Sequence, residues 1–182
     1  MRFVGVHYSI TCPSICVYSG NGEFNYTDCA FHYLTDKKKY EINTKQFQGV
    51  RYPIYEFLIE RYTKLGQWAA SIIKSDLDCV FLEGYSYGSQ FSRIYDIGEA
   101  TGILKHLLYS SGIKFNIIPP TKIKKFATGK GNATKLMMFD SFKQETGVNI
   151  YSDFNCSICN SPVSDIIDSY YICKYANTQH KI

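Results

Sequence analysis

The feature that most restricts the fold of this chain is Asp78-Cys79-Val80-Phe81-Leu82-Glu83, a short apolar run ending in a carboxylate and set between two stretches of helical periodicity. Such a run reads as a buried strand, here with the Glu83 carboxylate at its tip. Before it, Phe57, Leu58, Tyr62, Leu65, Trp68, Ala69 and Ile72 recur at helical spacing and predict a long helix from about Ile54 to Lys74. After it, Ile97, Ala100, Ile103, Leu104, Leu107 and Leu108 predict a second helix from Ile94 to Ser110, entered through the glycine- and tyrosine-rich loop GYSYGSQFSR. Helix, buried strand, helix is an α/β order.

The N-terminal third has a different period. Phe3 to Val6, Ser14 to Tyr18 and a run around Cys29 to Leu34 read as strands close enough for an antiparallel meander. The first strand ends in VGVHYSITCPSICVY, where a tight polar connection follows and His7 stands at the junction of strand and loop. Beyond the second helix, Lys114 to Ile118 reads as a strand closed by Pro119-Pro120, Thr121 to Phe126 as a short helix, and Ala133 to Glu145 as a longer one stopped by Gly147. The last element begins at NSPVSDIIDSYYICKYA, with Ser161 as N-cap, Pro162 in the first turn and a helical pattern through Ala176.

The chain of 182 residues, 45% hydrophobic, is long enough for one globular domain with a real core, so a single domain over 1–182 is expected. No N-terminal segment has the charge and apolar layout of a signal peptide, and no stretch approaches the roughly 18 apolar residues that span a bilayer. A soluble, intracellular protein is expected. The cysteines number 7 and sit among apolar neighbours, as at Cys16, Cys29, Cys79 and Cys173, where in a reducing compartment they act as small buried hydrophobes and no disulfides are expected. Cys156 and Cys159 are spaced C-x-x-C, but a zinc site would need a second pair, so a packed or solvent-facing turn is the better reading.

The net charge of +4 excludes little, but its distribution is informative. Lys114, Lys122, Lys124, Lys125, Lys130, Lys135 and Lys143 face a single acid, Asp140, across the third quarter of the chain. Such a block is ordinarily a solvated face. The loop ATGKGNATK adds glycine and small polar residues whose backbone N–H groups can meet phosphates alongside the lysines.

Asp165 and Asp168, three residues apart on the predicted last helix, project from one face. Acids near a helix N-terminus are also simply good electrostatics. Their possible company changes the weighting, because strand ends facing a helix N-terminus can converge on one crevice, and Glu83 and His7 both stand at strand ends. A cluster of hard oxygen ligands suits Mg²⁺ or Mn²⁺, and paired ions of that kind serve phosphodiester hydrolysis.

In this order of parts the chain resembles the RuvC-type Holliday-junction resolvases of the ribonuclease H-like superfamily, a phage-encoded member among them. The stretches that carry the resemblance are FVGVHYSITCPSICVY, VFLEGYSYG, KIKKFATGKGNATK and SPVSDIIDSYYICKYA, spread from Phe3 to Ala176. It implies an α/β, ribonuclease H-like mixed sheet, three antiparallel strands then parallel ones, flanked by helices. It further implies a structure-selective, metal-dependent endonuclease acting on four-way junctions, and on forks and flaps, as a homodimer in the cytoplasm of a bacterial host. Carried over, Glu83 is similar to the family's second metal ligand, Asp165 and Asp168 to its last pair, and Lys124 and Lys135 to lysines near the scissile phosphate. Tyr85 or Tyr87 stands where the family has a stacking aromatic, and Gln90, Arg93, Lys122, Lys125 and Lys130 complete the DNA-binding set that the resemblance implies.

The departure is His7, where the family has an aspartate. A carboxylate there can bridge two hard cations, whereas a neutral imidazole gives one nitrogen to one metal and favours softer ions. Position 7 is therefore read as catalytic and metal-ligating, with two ions in the parent chemistry. Three explanations stand open: an inactivating change, a natural variant of altered metal preference, or a histidine that is merely structural. The readings that follow are a junction-resolving endonuclease impaired at His7, a catalytically weak or inactive branched-DNA-binding protein, and, less well matched, a ribonuclease or transposase-like nuclease on the same fold.

Overall fold

The computed structural model describes residues 2–21, 23–73, 78–85, 91–154, 156 and 160–179, with the backbone alone described at 78 and 91–93. Its centre is a six-stranded sheet made of β1 (Arg2–His7), β2 (Ser14–Tyr18), β3 (Cys29–Thr35), β4 (Phe47–Arg51), β5 (Asp78–Glu83) and β6 (Phe115–Ile118), in the order β4-β3-β2-β1-β5-β6. β1, β2 and β3 form the expected antiparallel meander, and β5 and β6 join β1 in parallel. This is the mixed α/β sheet that the periodicities and the resemblance called for.

β4 is an addition that the sequence did not announce. It pairs parallel with β3, matching Phe31 with Phe47 and Thr35 with Arg51. Its residues FQGVR hold too few apolar side chains for the alternation to stand out. As the edge strand it has one half-empty face, and Val50 is left 53% exposed.

Among the described residues six helices cover the sheet: α1 (Leu58–Ile72), α2 (Phe91–Ser110), α3 (Pro120–Thr128), α4 (Lys135–Thr146), α5 (Tyr151–Phe154) and α6 (Val163–Gln179). α1 and α2 pack one face, where Val4, Val6, Ile15, Leu65, Ala69, Leu82, Leu104 and Leu108 are buried. α6, with α3 and α4 beside it, packs the other, over an aromatic-rich core of Phe31, Tyr33, Phe47, Phe142, Tyr170 and Tyr171. The period of two in β1 sorts its side chains accordingly, Phe3 to the α6 face and Val4 and Val6 to the α1 face. Among the described residues no helix is long and apolar enough to cross a membrane.

Two helix starts differ from expectation. α1 begins at Leu58 rather than Ile54, because Glu60 reaches back to accept from the Glu56 N–H at 2.8 Å and Lys64 donates to the Ile54 carbonyl at 2.5 Å, capping the turn before it. The predicted N-cap at Ser161 with Pro162 inside the helix is overturned: the Ser161–Pro162 peptide bond is cis, and α6 starts at Val163. α4 is capped as its sequence suggests, Thr134 accepting from the Met137 N–H and Gly147 closing it in the left-handed region.

Cys16, Cys29 and Cys173 lie in the aromatic core, with the Cys173 thiol donating to the Phe3 carbonyl at 3.2 Å. Cys159 is outside the described residues.

Candidate active site

The site exists because one glycine lets α6 lie directly on β1. A Cβ at Gly5 would stand 2.1 Å from the Cys173 backbone nitrogen and 2.5 Å from the Ser169 carbonyl oxygen, so no other residue fits without moving the helix. Ser169, fully buried, completes the close approach by pairing its hydroxyl with that of Ser14 on β2 at 3.0 Å. From this contact the chain rises match: the four residues back along α6 from Ser169 to Asp165 rise about 6 Å, and the two residues forward along β1 from Gly5 to His7 rise about 6.6 Å. Asp165 therefore arrives over His7.

The histidine stands between two carboxylates. His7 Nδ1 is 2.5 Å from Glu83 Oε2, at the tip of the neighbouring parallel strand, and His7 Nε2 is 3.1 Å from Asp165 Oδ1. Burial opposes a charge on the imidazole, but the Glu83 charge and the hydrogen bonds to Asp165 and Glu83 outweigh it and hold the pKa well above its ordinary value. A carboxylate oxygen within hydrogen-bond reach of each ring nitrogen favours the protonated imidazole, which can donate from both. Burial likewise works against charge on Asp165, and the His7 hydrogen bond and charge reverse the effect, leaving its pKa lowered.

Asp168 lies in the same crevice without a cationic contact of that quality. Desolvation, reinforced by the charges of Glu83 and Asp165, pushes its pKa up to about 7, against the pull of His7 and Lys135. On the outer side the Lys135 ammonium donates to Ser164 Oγ at 3.1 Å, and that hydroxyl lies 3.5 Å from Asp165 Oδ2. A chain of alternating charge runs from Lys135 through Asp165 and His7 to Glu83.

A cavity of about 260 Å³ opens over this row, lined among others by His7, Tyr8, Glu83, Tyr85, Lys124 and Asp168. Lys135, Ser164 and Asp168 line a small cleft next to it. The residues singled out from sequence as catalytic or ligating are thus neighbours, although His7 and Asp165 are 158 positions apart. Tyr85 lines the cavity at its exposed rim, and Lys125 and Lys130 are exposed on and just after α3. Lys122 is not brought in: two residues from Lys124 on α3, it points elsewhere and sits 5.2 Å over the Tyr175 ring in a separate groove with Phe81 and Asn116. Tyr87 and Gln90 lie outside the described residues, and of Arg93 only the backbone is described.

Sequence reasoning missed the supports. Cys12, in the β1–β2 loop, is buried against Asp165 and Ser161; burial and the Asp165 charge push its thiol far up. Tyr52 donates its hydroxyl to the Ile10 carbonyl at 3.0 Å, and the Arg61 guanidinium, stacked on Tyr52 and Tyr55, donates to the same oxygen, pinning that loop from α1. None of these residues carries a local signature, since each works through a contact made only in the folded chain. Gly5 alone had a signal, a glycine inside an apolar strand, which marks a close backbone approach.

The pair of hard cations implied by the resemblance does not fit this arrangement. Glu83 Oε2 and Asp165 Oδ1 are both engaged by the His7 ring, and an imidazole hydrogen-bonded to carboxylates through both nitrogens has no lone pair to offer a cation. Among the described residues no three His, Cys, Asp or Glu side chains are placed to hold a metal ion.

A mixed sheet of this order, with acids at the tip of β5 and the start of α6 meeting the end of β1, defines a ribonuclease H-like fold. More particularly, it is the fold of RuvC and other Holliday-junction resolvases. The chain is similar to Thermus thermophilus RuvC in complex with a Holliday junction substrate, at 15% identity and TM-score 0.61 over 98% of this chain and 96% of that one. It is similar to the yeast mitochondrial Holliday junction resolvase, at 14% identity and TM-score 0.58 over 98% of this chain and 80% of that one. The fowlpox virus resolvase bound to Holliday junction DNA aligns at 17% identity and TM-score 0.51, over 98% of this chain and 99% of that one. No family model matches the sequence, and no curated protein sequence does.

Proposed function

We propose that this chain binds branched DNA, four-way junctions first, as a homodimer of the RuvC-type fold, and that its hydrolytic centre is held in check by His7. The observation that carries the reading is the His7 ring seated between Glu83 and Asp165, where its protonated form supplies the positive charge that these carboxylates would otherwise take from a divalent ion. DNA binding does not depend on that charge, because phosphate neutralisation and duplex shape are read by the lysines around the crevice. Lys124 and Lys135 would approach the phosphate at the cavity, while Tyr85 at the rim is placed to stack on a base. Two copies related by a two-fold axis would present two such crevices to the symmetric strands of a junction.

His7→Asp tests this directly. The substitution releases Glu83 and Asp165 and adds a third oxygen donor, a set suited to Mg²⁺. The wild type should cleave labelled four-way junction little or not at all in Mg²⁺ or Mn²⁺, because both ring nitrogens of His7 are engaged by carboxylates, whereas His7→Asp should cleave strongly in Mg²⁺. A readout independent of cleavage accompanies it: saturating Mg²⁺, at about 100 times its Kd, should stabilise His7→Asp by about 2.7 kcal/mol and leave the wild type nearly unchanged. Equal cleavage by both proteins in Mg²⁺ would overturn the role given to His7.

A further inference from the structure

β3 is antiparallel to β2, as β1 is, so β1 and β3 run the same way and end on the same edge of the sheet. β1 ends there in His7; β3 ends in Thr35, followed by Asp36-Lys37-Lys38-Lys39-Tyr40. The two ends are tied together, since the Leu34 N–H donates to the Pro13 carbonyl at 3.2 Å across the β1–β2 loop. The lysines therefore stand on the crevice edge, on the β3 side.

The turn that carries them is built rather than loose. The Lys37 N–H donates to Thr35 Oγ1 at 3.1 Å, the Tyr40 N–H to the Lys37 carbonyl at 3.0 Å, and the Tyr33 hydroxyl to the Tyr40 carbonyl at 2.7 Å. Tyr40 is only 4% exposed and packs edge-on against Phe154 of α5. Its ring holds the Lys39 ammonium at 4.7 Å and that of Lys37 at 5.9 Å. All three lysines are exposed, and among the described residues none of them has an acidic partner. The charges of Lys39 and Lys37 reach the Cys156 thiol, in the segment that leads into α6.

We infer that Lys37, Lys38 and Lys39 form a second phosphate-contacting surface, which grips the backbone of a duplex arm leaving the crevice on the β3 side. The inference rests on the DNA-binding reading above and extends it. Lys124, Lys130 and Lys135 would serve the α3–α4 side of the crevice, and the 37–39 turn adds positive charge along the β3 side. Contacts of this kind position DNA without reading its sequence.

The test is a salt titration of four-way junction binding by fluorescence anisotropy, on wild type, on Lys37→Ala/Lys38→Ala/Lys39→Ala, on the matching triple Arg variant, and on Lys64→Ala of α1. Each lost phosphate contact removes about 0.9 from the slope of log K against log salt, so the triple alanine variant should lose about 2 to 3 in slope and at least tenfold in affinity near 0.1 M salt. The arginine variant and Lys64→Ala should keep the wild-type slope. Lys38→Glu, whose side chain holds no ring contact, should alone lower the slope by about 1 to 2. It supplies the measurement should the triple variant misfold. Wild-type affinity and slope in the triple alanine variant and in Lys38→Glu would overturn the second surface alone. Failure of the wild type to bind junction DNA would instead overturn the parent reading.

Discussion

His7 and Asp168 show how one environment pushes two residues towards holding protons. Burial raises the Asp168 carboxyl to about 7, against an ordinary value near 3.9, so between those limits the folded chain binds a proton that the unfolded chain does not. Stability falls wherever the native state holds more protons and pH rises, so Asp168 makes the fold less stable from about pH 4 to above pH 7. The raised His7 contributes in the same sense: its stabilisation is complete below about 6.5 and is lost as pH climbs through the higher folded value. Asp165, lowered, has the opposite sign and loses its contribution only on acidification. Urea unfolding without divalent ions should show midpoints that decline between about pH 5 and 8. In Asp168→Asn the decline should flatten, with a gain of roughly 2 kcal/mol at pH 8 and almost none at pH 4. A parallel pH profile in the two proteins would place the titration elsewhere.

At the level of elements, the α6–β1 contact sets the position of everything in the site. Gly5→Ala puts a methyl group into the helix backbone, which cannot yield as a flexible side chain would. We expect a loss on the order of 3 kcal/mol or more, a fall in Tm of roughly 10 °C for a chain of this size, and a displaced α6 that no longer brings Asp165 to His7. Calorimetry gives the first two, and the imidazole NMR shifts of His7 report the third. Gly102 of α2 is the contrasting case, since nothing lies within 4 Å of a Cβ placed there. Gly102→Ala should stabilise by about 0.5–1 kcal/mol through helix propensity alone. A loss of stability there would show that α2 packs against something on that side.

For the whole molecule, the net charge of +4 understates how the positive charge is arranged. The exposed lysines of the α3–α4 region and of the 37–39 turn border the one edge of the sheet where His7, Glu83 and the α6 acids meet. Lys124→Ala with Lys130→Ala should weaken junction binding and lower the log–log salt slope by about 2, while Asp168→Asn should leave that slope as it is. An unchanged slope in the lysine pair would mean that this face is turned away from the DNA. Sedimentation of the complex should find two chains for each four-way junction, as the proposed homodimer requires.

Local chemistry determined much of this by itself. Apolar period separates β1, β2, β3 and β5 from α1 and α2, and Gly147 marks the end of α4, because these signals depend on neighbours a few residues away. The placing of Glu83 and Asp165 near element ends was legible for the same reason, with Asp168 three residues further along the helix face. Hidden from the sequence were the pairing of β4 with β3, the cis bond before α6, and the hold of Arg61 and Tyr52 on the β1–β2 loop. The state of His7 was hidden too. A histidine at a strand end reads equally as ligand, relic or filler. Only the pairing of β5 with β1, which sets Glu83 at Nδ1, and the approach of α6 over Gly5, which sets Asp165 at Nε2, favour a positive charge on the ring. That charge comes from groups 76 and 158 positions away, and contacts at such separations exist only once the sheet has formed and the helix has docked on it.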